Sequence, residues 1–265
     1  MYNLLIAGAG AVVAFVIGFF AAGWIAGVIP ALLAFGVAWF FLARRTGKQV
    51  EAVAQVAMQQ MQAGNLAGAR DTFRAALPLG KWQILVEPQI HAQLGAIDYL
   101  EGCSLVMQRQ VTASKEKFAA ARVELEKSWS RDWRARTMLA CVHHRENQTD
   151  EAVKVMVGAE SAGSGEALYW AVWAYVLNEA KRRDEALKVV GKGLTSVPKH
   201  AGLVAVQEAM TNRRRPDFKV FGEPWYQFFP EQIPQEVLME QARAAGRLPP
   251  QAANRSQMTY PQPRR

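Results

Sequence analysis

The chain has 265 residues, which is enough to bury a hydrophobic core in one or two domains. Its formal net charge of +8 at pH 7 allows attraction to anionic lipids, nucleic acid or acidic proteins, and singles out none of them. The two cysteines, Cys103 and Cys141, are too few for a disulfide framework and fit a reducing compartment.

Residues 1–43 contain no charged residue and no histidine. At about 1.5 Å per residue, one helix over this run would be roughly 58 Å long, twice the roughly 30 Å hydrocarbon core. Two transmembrane helices near 2–22 and 25–42 fit better, and a secretory signal peptide would need a basic start and a shorter apolar run. Small residues on one face of each helix predict a tight hairpin: Gly10, Ala14, Gly18 and Ala22, then Gly27, Ala31, Ala34 and Ala38.

Basic residues follow the second span directly, at Arg44, Arg45 and Lys48. By the positive-inside rule they stay in the cytoplasm, so the rest of the chain is expected there whether one or two spans form. We interpret residues 44–49 as a basic juxtamembrane linker that can contact anionic lipid. The cytoplasmic membrane of a bacterium is the favoured location, and an organelle outer membrane with a cytosolic domain is the alternative.

The chain repeats itself at an interval of 34 residues. TDEAVKVM at 149–156 matches RDEALKVV at 183–190, so that Asp150 and Asp184 are both expected to cap the start of a helix. Apolar or small residues recur at the same places when the match is extended to 133–166 and 167–200. Helical periodicity without alternating strand patterns runs through residues 49–212, which predicts an all-α domain.

This pattern resembles the tetratricopeptide repeat, a 34-residue helix–turn–helix unit with small residues at positions 8, 20 and 27. Ala140 and Ala152 hold two of those positions in 133–166. Weaker copies lie near 50–83 and 88–128, the latter with about seven extra residues. The resemblance implies an α-solenoid of four units over 50–213, closed by a cap helix at 201–213.

The resemblance also implies a concave groove that binds a peptide or helix of another protein. In such repeats the groove is lined by the second, fifth, ninth and twelfth residues of each first helix. Flexible methionines and amphipathic tyrosines at several of these positions suit a protein surface. The candidate protein-binding residues are therefore Met58, Met61, Tyr99, Arg134, Cys141, His144, Tyr175 and Asn178. A carboxylate-binding clamp is not expected, because Ala54 and Met58 stand at its positions.

Cys141, His143 and His144 are the nearest approach to a chemical motif. Consecutive histidines point about 100° apart on a helix, and no second Cys/His pair stands at metal-ligand spacing. We therefore predict no catalytic residue, metal or cofactor, so that the protein is not an enzyme, and we expect no nucleic-acid partner.

The composition changes again after the solenoid. Residues 217–233, DFKVFGEPWYQFFPEQI, contain six aromatic residues, which we expect to pack on the C-terminal end of the solenoid or else to dock on a partner. They belong to an aromatic-rich extension over 214–246, in which Pro234 opens a short helix ending near Gly246. Residues 247–265 are predicted to be a disordered basic tail that contacts lipid headgroups or an acidic partner.

These features predict a membrane-anchored scaffold that recruits or assembles other proteins through the repeat groove. The alternative is a regulatory subunit of an envelope-biogenesis membrane enzyme, which would contact that enzyme through the transmembrane hairpin. Replacing the spans with an unrelated anchor separates the two, because recruitment survives only under the first.

Overall fold

The computed structural model describes residues 1–244, and this part of the chain is helical throughout, without a β-strand. The predicted all-α class is confirmed. The basic tail at 247–265 and the helix end near Gly246 lie outside the described residues. The helices are α1 Tyr2–Ala22, α2 Trp24–Gln62, α3 Leu66–Ala76, α4 Val86–Met107, α5 Val111–Glu126, α6 Trp133–Arg145, α7 Thr149–Gly163, α8 Ala167–Glu179, α9 Arg183–Ser196, α10 Ala201–Thr211, α11 Glu223–Tyr226 and α12 Gln235–Ala244, with short 3₁₀ turns at Leu77–Lys81, Phe218–Phe221 and Pro230–Gln232.

Helices α1 and α2 form an apolar hairpin, and by length and composition both could cross a membrane. The chain reverses at Gly23, whose φ of +86° favours glycine. A Cβ on Gly27 would lie 2.7 Å from the carbonyl oxygen of Phe15, so glycine is needed at this helix crossing. The predicted small-residue stripe is wrong at Gly10, which is exposed and has no atom within 4 Å of the position that a Cβ would take, whereas Ala7 is buried.

Helix α2 is 39 residues long and continues from the apolar hairpin into the first repeat. Residues 44–49, interpreted from the sequence as a linker, are helical and belong to its middle. The physical reason is that nothing here stops a helix: the segment has one glycine, Gly47, no proline, and good helix formers on both sides. The anchor and the solenoid therefore share one helix.

Four helix pairs follow one another along the chain: α2–α3, α4–α5, α6–α7 and α8–α9, with α10 after them. The first helices α4, α6, α8 and α10 contact one another in sequence, whereas the second helices of neighbouring units make few direct contacts. The stack therefore curves with the first helices on the inside. Ala140 and Ala174 are fully buried where the two helices of a unit approach most closely.

The turn inside each unit has the same backbone form. Asn147 and Lys181, 34 residues apart, are left-handed with φ of +60° and +63°. The next amide donates to the carbonyl five residues earlier, at 2.8 Å in one unit and 2.9 Å in the other, which ends the helix in a Schellman motif. The expected capping by Asp150 and Asp184 is wrong, because neither carboxylate accepts a hydrogen bond from the backbone. Asp150 instead accepts from Arg182, at 2.6 Å.

The described solenoid contains two hydrophobic cores. The smaller joins the first unit to the beginning of α4, with Phe73 and Ile90 among its buried residues. The larger begins at Ala92, runs through units two to four, and includes aromatic residues from beyond α10. The extra residues of unit two lengthen both of its helices, to 22 residues in α4 and 16 in α5.

Candidate functional site: the inner groove

The inner groove is the surface formed by α4, α6, α8 and the part of α2 beyond residue 50. The candidate residues taken from the sequence lie on these helices but differ in exposure. Met58 is 54% exposed, whereas Tyr99 and Cys141 are fully buried. Of the others, Arg134 is exposed, and Met61, His144, Tyr175 and Asn178 are half-buried. The structure therefore divides the predicted site into an open end and a covered part.

Residues 217–233, which we call the aromatic segment, cover most of the groove. Phe218, Trp225, Phe228 and Phe229 are all buried in the same core as α6 and α8. Tyr175 is the centre of this packing: its ring centroid lies 5.4, 5.2 and 4.5 Å from those of Phe218, Trp225 and Phe229. Edge-on and tilted ring pairs at these distances are favourable beyond the area they bury.

The aromatic segment extends from the fourth unit back to the second. The ring of Phe228 lies 6.5 Å from that of Trp133 at the start of α6. Its backbone carbonyl accepts a hydrogen bond from the hydroxyl of Tyr99 on α4. The expectation that the segment packs at the C-terminal end of the solenoid is therefore too limited, because it crosses three of the four units.

Polar contacts hold the far end of the segment. Arg145, in the last turn of α6, donates from Nη2 to both carboxylate oxygens of Glu231, at 2.8 and 2.9 Å. Its Nε donates to the Tyr99 hydroxyl at 3.2 Å, and its guanidinium lies over the rings of Tyr99 and Phe118. Gln232 donates to the hydroxyl of Tyr175 at 3.0 Å. This mostly buried charge is thus paired with a carboxylate, and its Nε and Nη2 both donate hydrogen bonds.

The two cysteines beneath the aromatic segment are unreactive at neutral pH. Burial raises the pKa of Cys103 to about 11 and that of Cys141 to about 12, against the opposing charge of Arg145. Both thiols are therefore protonated at neutral pH, and the reactive thiolate form is not populated. Burial, followed by the charge of Arg145, lowers the pKa of His144 from its ordinary value.

The Cys141, His143 and His144 cluster assembles no reactive site. Nδ1 of His143 lies 2.8 Å from the side-chain oxygen of Gln148, and the ring of His144 packs edge-on against Tyr175. Within residues 1–244, no three His, Cys, Asp or Glu side chains are placed to hold a metal ion.

The end of the groove nearest the apolar hairpin is open. A cavity of about 120 Å³ lies between α2 and α4, where α2 and α4 are not packed directly together. Met58 and Met61 line one wall, and Gln89, Ile90 and Gln93 line the other. Because methionine side chains adapt to irregular shapes, this wall can accommodate different apolar groups.

A larger cavity of about 530 Å³ lies at the other edge of the aromatic segment. Glu179 of α8 faces Arg215, Asp217 and Lys219 across it. The mixture of charges gives it no net preference for cations or anions. It belongs to the border between the segment and the groove.

Sequence reasoning missed Arg145 and Glu231, which fix the segment. Arg145 is the thirteenth residue of its unit, just past the groove positions that the tetratricopeptide resemblance predicted. Glu231 stands 86 residues away, and no spacing rule connects the two. The one sequence feature that points to this contact is the density of aromatic residues in 217–233. It predicts that the segment packs against something, but not which helices it contacts.

Neither a protein-family model nor a curated protein sequence matches this chain. Two solved structures are similar to it: a MamA RS-1 ArsTM double mutant and a MamA fragment, 41-end, from Desulfovibrio magneticus RS-1. Each has a TM-score of 0.42 and 12% identity, over 72% and 74% of this chain and 96% of the matched chain. At this TM-score the likeness supports no conclusion, and the account of the groove rests on the contacts above.

Proposed function

We propose that this protein is a membrane-anchored interaction scaffold. The apolar hairpin crosses the bilayer, and the helical repeats present a protein-binding groove on the cytoplasmic side. The observation that carries this proposal is the continuity of α2, which runs without a break from the apolar hairpin into the wall of the open groove. Anything bound at Met58 is therefore held at a fixed distance from the membrane.

The orientation follows from charge at the end of the apolar hairpin. Arg44, Arg45 and Lys48 are exposed, and none forms an ion pair with a residue that the structure describes. Free basic side chains immediately after a span favour the cytoplasmic side and attract anionic headgroups. Trp24 and Trp39 suit the two interfacial belts of such a hairpin.

The open end of the groove is the proposed partner site. Units two to four are covered by the aromatic segment, so a partner finds exposed apolar surface at Met58 and in the cavity beside it. An apolar side chain from a partner helix or peptide fits a cavity of this size and lining. The covered residues Tyr99, Cys141, His144 and Tyr175 take part only if the aromatic segment leaves.

Photo-crosslinking in native membranes tests this assignment. A photoreactive residue at Met58 should capture one defined protein, identified by mass spectrometry. The matched control is Val157, an equally exposed apolar residue on the outer helix α7. Met58→Glu on the partner-binding wall should abolish co-purification of the captured protein, whereas Val157→Glu should not. Equal capture at both positions, or co-purification that survives Met58→Glu, would contradict the proposal.

The second candidate, a regulatory subunit of an envelope-biogenesis enzyme, is favoured by one observation. Gly10 and Gly36 are exposed on the outer sides of the apolar hairpin, with no atom near the position of a Cβ. Bare backbone facing outward permits close contact with another membrane helix. Replacing residues 1–43 with an unrelated hairpin should preserve partner recruitment under the scaffold proposal and abolish it under this one.

A further inference from the structure

The loop between the first two units exposes an unusual amount of apolar surface. Trp82, Ile84 and Leu85 are 40%, 50% and 49% exposed, three large apolar side chains within four residues. The turns inside the third and fourth units, at 146–148 and 180–182, contain no large apolar residue. A contiguous apolar patch on a short loop marks a surface that contacts something other than water.

The position of this loop is fixed by contacts with the apolar hairpin. The backbone amide of Asn3 donates to the carbonyl of Trp82 at 3.4 Å, and the rings of Tyr2 and Trp82 pack edge-on at 5.4 Å. The side chain of Asn3 in turn donates to Thr46 at 2.9 Å, and both residues are buried. The loop therefore lies at the level where the apolar hairpin ends and the basic residues begin.

Two adjoining cavities connect the loop to the hairpin. The first, about 350 Å³, is lined by apolar side chains from both, among them Leu4, Trp39 and Leu85. The second, about 200 Å³, shares Asn3 and Trp82 with the first and is bordered by Arg45 and Gln49. The apolar cavity matches the acyl chain of a phospholipid, and the arginine of the adjoining cavity matches the phosphate that follows the chain.

We propose that the 82–85 loop enters the headgroup region of the cytoplasmic leaflet, and that the apolar cavity takes an acyl chain of a phospholipid whose phosphate meets Arg45. The inference rests on the proposed function, because it requires the apolar hairpin to span the membrane. Three observations select a bilayer lipid as the occupant: the cavity is lined by Leu4 and Trp39 of the two spans, both side chains are exposed on the hairpin surface, and Arg45 lines the adjoining cavity. The loop and α2 then hold the solenoid in one orientation on the membrane.

The depth of the loop can be measured with single spin labels in vesicles of phosphatidylethanolamine and phosphatidylglycerol. Labels are placed by Ile84→Cys, by Val37→Cys within the second span, and by Val157→Cys on the outer helix α7; all three side chains are exposed. The native thiols do not compete, because both are buried and protonated. Collision with oxygen reports the apolar phase, and collision with a water-soluble nickel complex reports water.

The ratio of oxygen to nickel collisions at Ile84 should lie between the high ratio at Val37 and the low ratio at Val157, as at the border of the apolar phase. If Ile84 behaves like Val157 while Val37 stays in the apolar phase, the loop proposal is wrong and the membrane anchor stands. If Ile84 and Val37 are both open to nickel, the anchor fails, and this inference fails with it.

A matched pair of arginines tests the phosphate site. Native mass spectrometry of the full chain released from nanodiscs should show one retained phosphatidylglycerol, and Arg45→Gln should lower its occupancy by about tenfold. Arg44→Gln removes the same charge one residue away, where it does not border the cavity, and should change occupancy little. Equal losses from the two variants would show general surface attraction and overturn the assignment to Arg45.

Discussion

The two ends of the inner groove are built from the same kind of helix pair, but one end is open and the other is covered by the aromatic segment. The first unit has its own small core and leaves Met58 exposed beside an open cavity. Units two to four share one large core with the aromatic segment, which seals their groove. The repeat determines the scaffold, and a few residues outside the repeat pattern determine whether a stretch of groove is free.

The chemistry of the two ends explains this difference. The covered part offers Tyr99, Arg145 and Tyr175, which combine ring faces with hydrogen-bond donors and so select an aromatic segment carrying an acid. The open end offers flexible methionines without a charge and selects little beyond apolarity. Substitutions at either end test this difference, and the expected effects are largest where the segment is held most tightly.

Trp225→Ala should have the largest effect, because this side chain is fully buried among Tyr175, Phe218 and Phe229. Removing a buried tryptophan lowers the free energy of unfolding by about 3–5 kcal/mol. The largest loss is expected if the segment detaches. Chemical denaturation of the full chain in detergent should show the loss, and trypsin should cut faster at Lys219. Trp129→Ala, at a 43% exposed position, is the control and should leave the cleavage rate unchanged.

Glu231→Gln should have the second-largest effect, because it leaves the mostly buried guanidinium of Arg145 without a counter-charge. A cost of about 1–3 kcal/mol is expected, since the glutamine still offers one acceptor oxygen. The measurement is again denaturation together with cleavage at Lys219. Glu223→Gln changes an exposed acid of the same segment and should have almost no effect. If the two variants behave alike, the Arg145 contact does not hold the segment.

Tyr99→Phe should cost about 1–2 kcal/mol, because its hydroxyl donates to the carbonyl of Phe228 and accepts from Arg145. The matched variant is Tyr169→Phe, whose hydroxyl donates to Met156 in the third unit. Both variants should lower global stability, but only Tyr99→Phe should raise the rate of cleavage in the segment. Faster cleavage in both would mean that the segment responds to general loosening of the solenoid.

Acidification should weaken the covered part of the groove through His144. Its pKa is lowered by burial and by Arg145, against the opposing influence of Glu179 and Glu231, so the unfolded chain binds a proton before the folded one does. This contribution to stability is complete above the ordinary histidine pKa of 6.5 and is lost as the pH falls through the folded pKa. Denaturation midpoints measured over this range should fall less steeply for His144→Gln. An identical pH dependence in both proteins would rule out this residue.

Met58→Glu should have the smallest effect on stability, within about 0.5 kcal/mol, because more than half of the side chain is exposed among the described residues. Its only expected consequence is the loss of partner binding. A destabilisation comparable with that of Tyr99→Phe would show that the first unit is not open and would remove the contrast between the two ends.

The sequence predicted the scaffold better than it predicted the occupant of the groove. The 34-residue match placed the close-packed alanines of units three and four, because those contacts lie within one unit and repeat. The sequence did not show that α2 is continuous. The apolar span and the amphipathic helix after it differ in composition, which suggested a boundary between them. No residue between them breaks a helix, so one helix forms. The sequence could not place the aromatic segment, because Tyr99 and Phe228 are 129 residues apart and meet only after three units have stacked.

One crosslinking measurement tests the central contrast most directly. A photoreactive residue replaces Glu179, which lines the cavity beside the aromatic segment, or Met58 in the open end, in a mixture of isotopically labelled and unlabelled full-length chains. The account predicts that Glu179 crosslinks to residues 217–233 of its own chain and that Met58 does not reach the segment. Crosslinks from Glu179 to another protein or to a second copy, with none to its own segment, would contradict it.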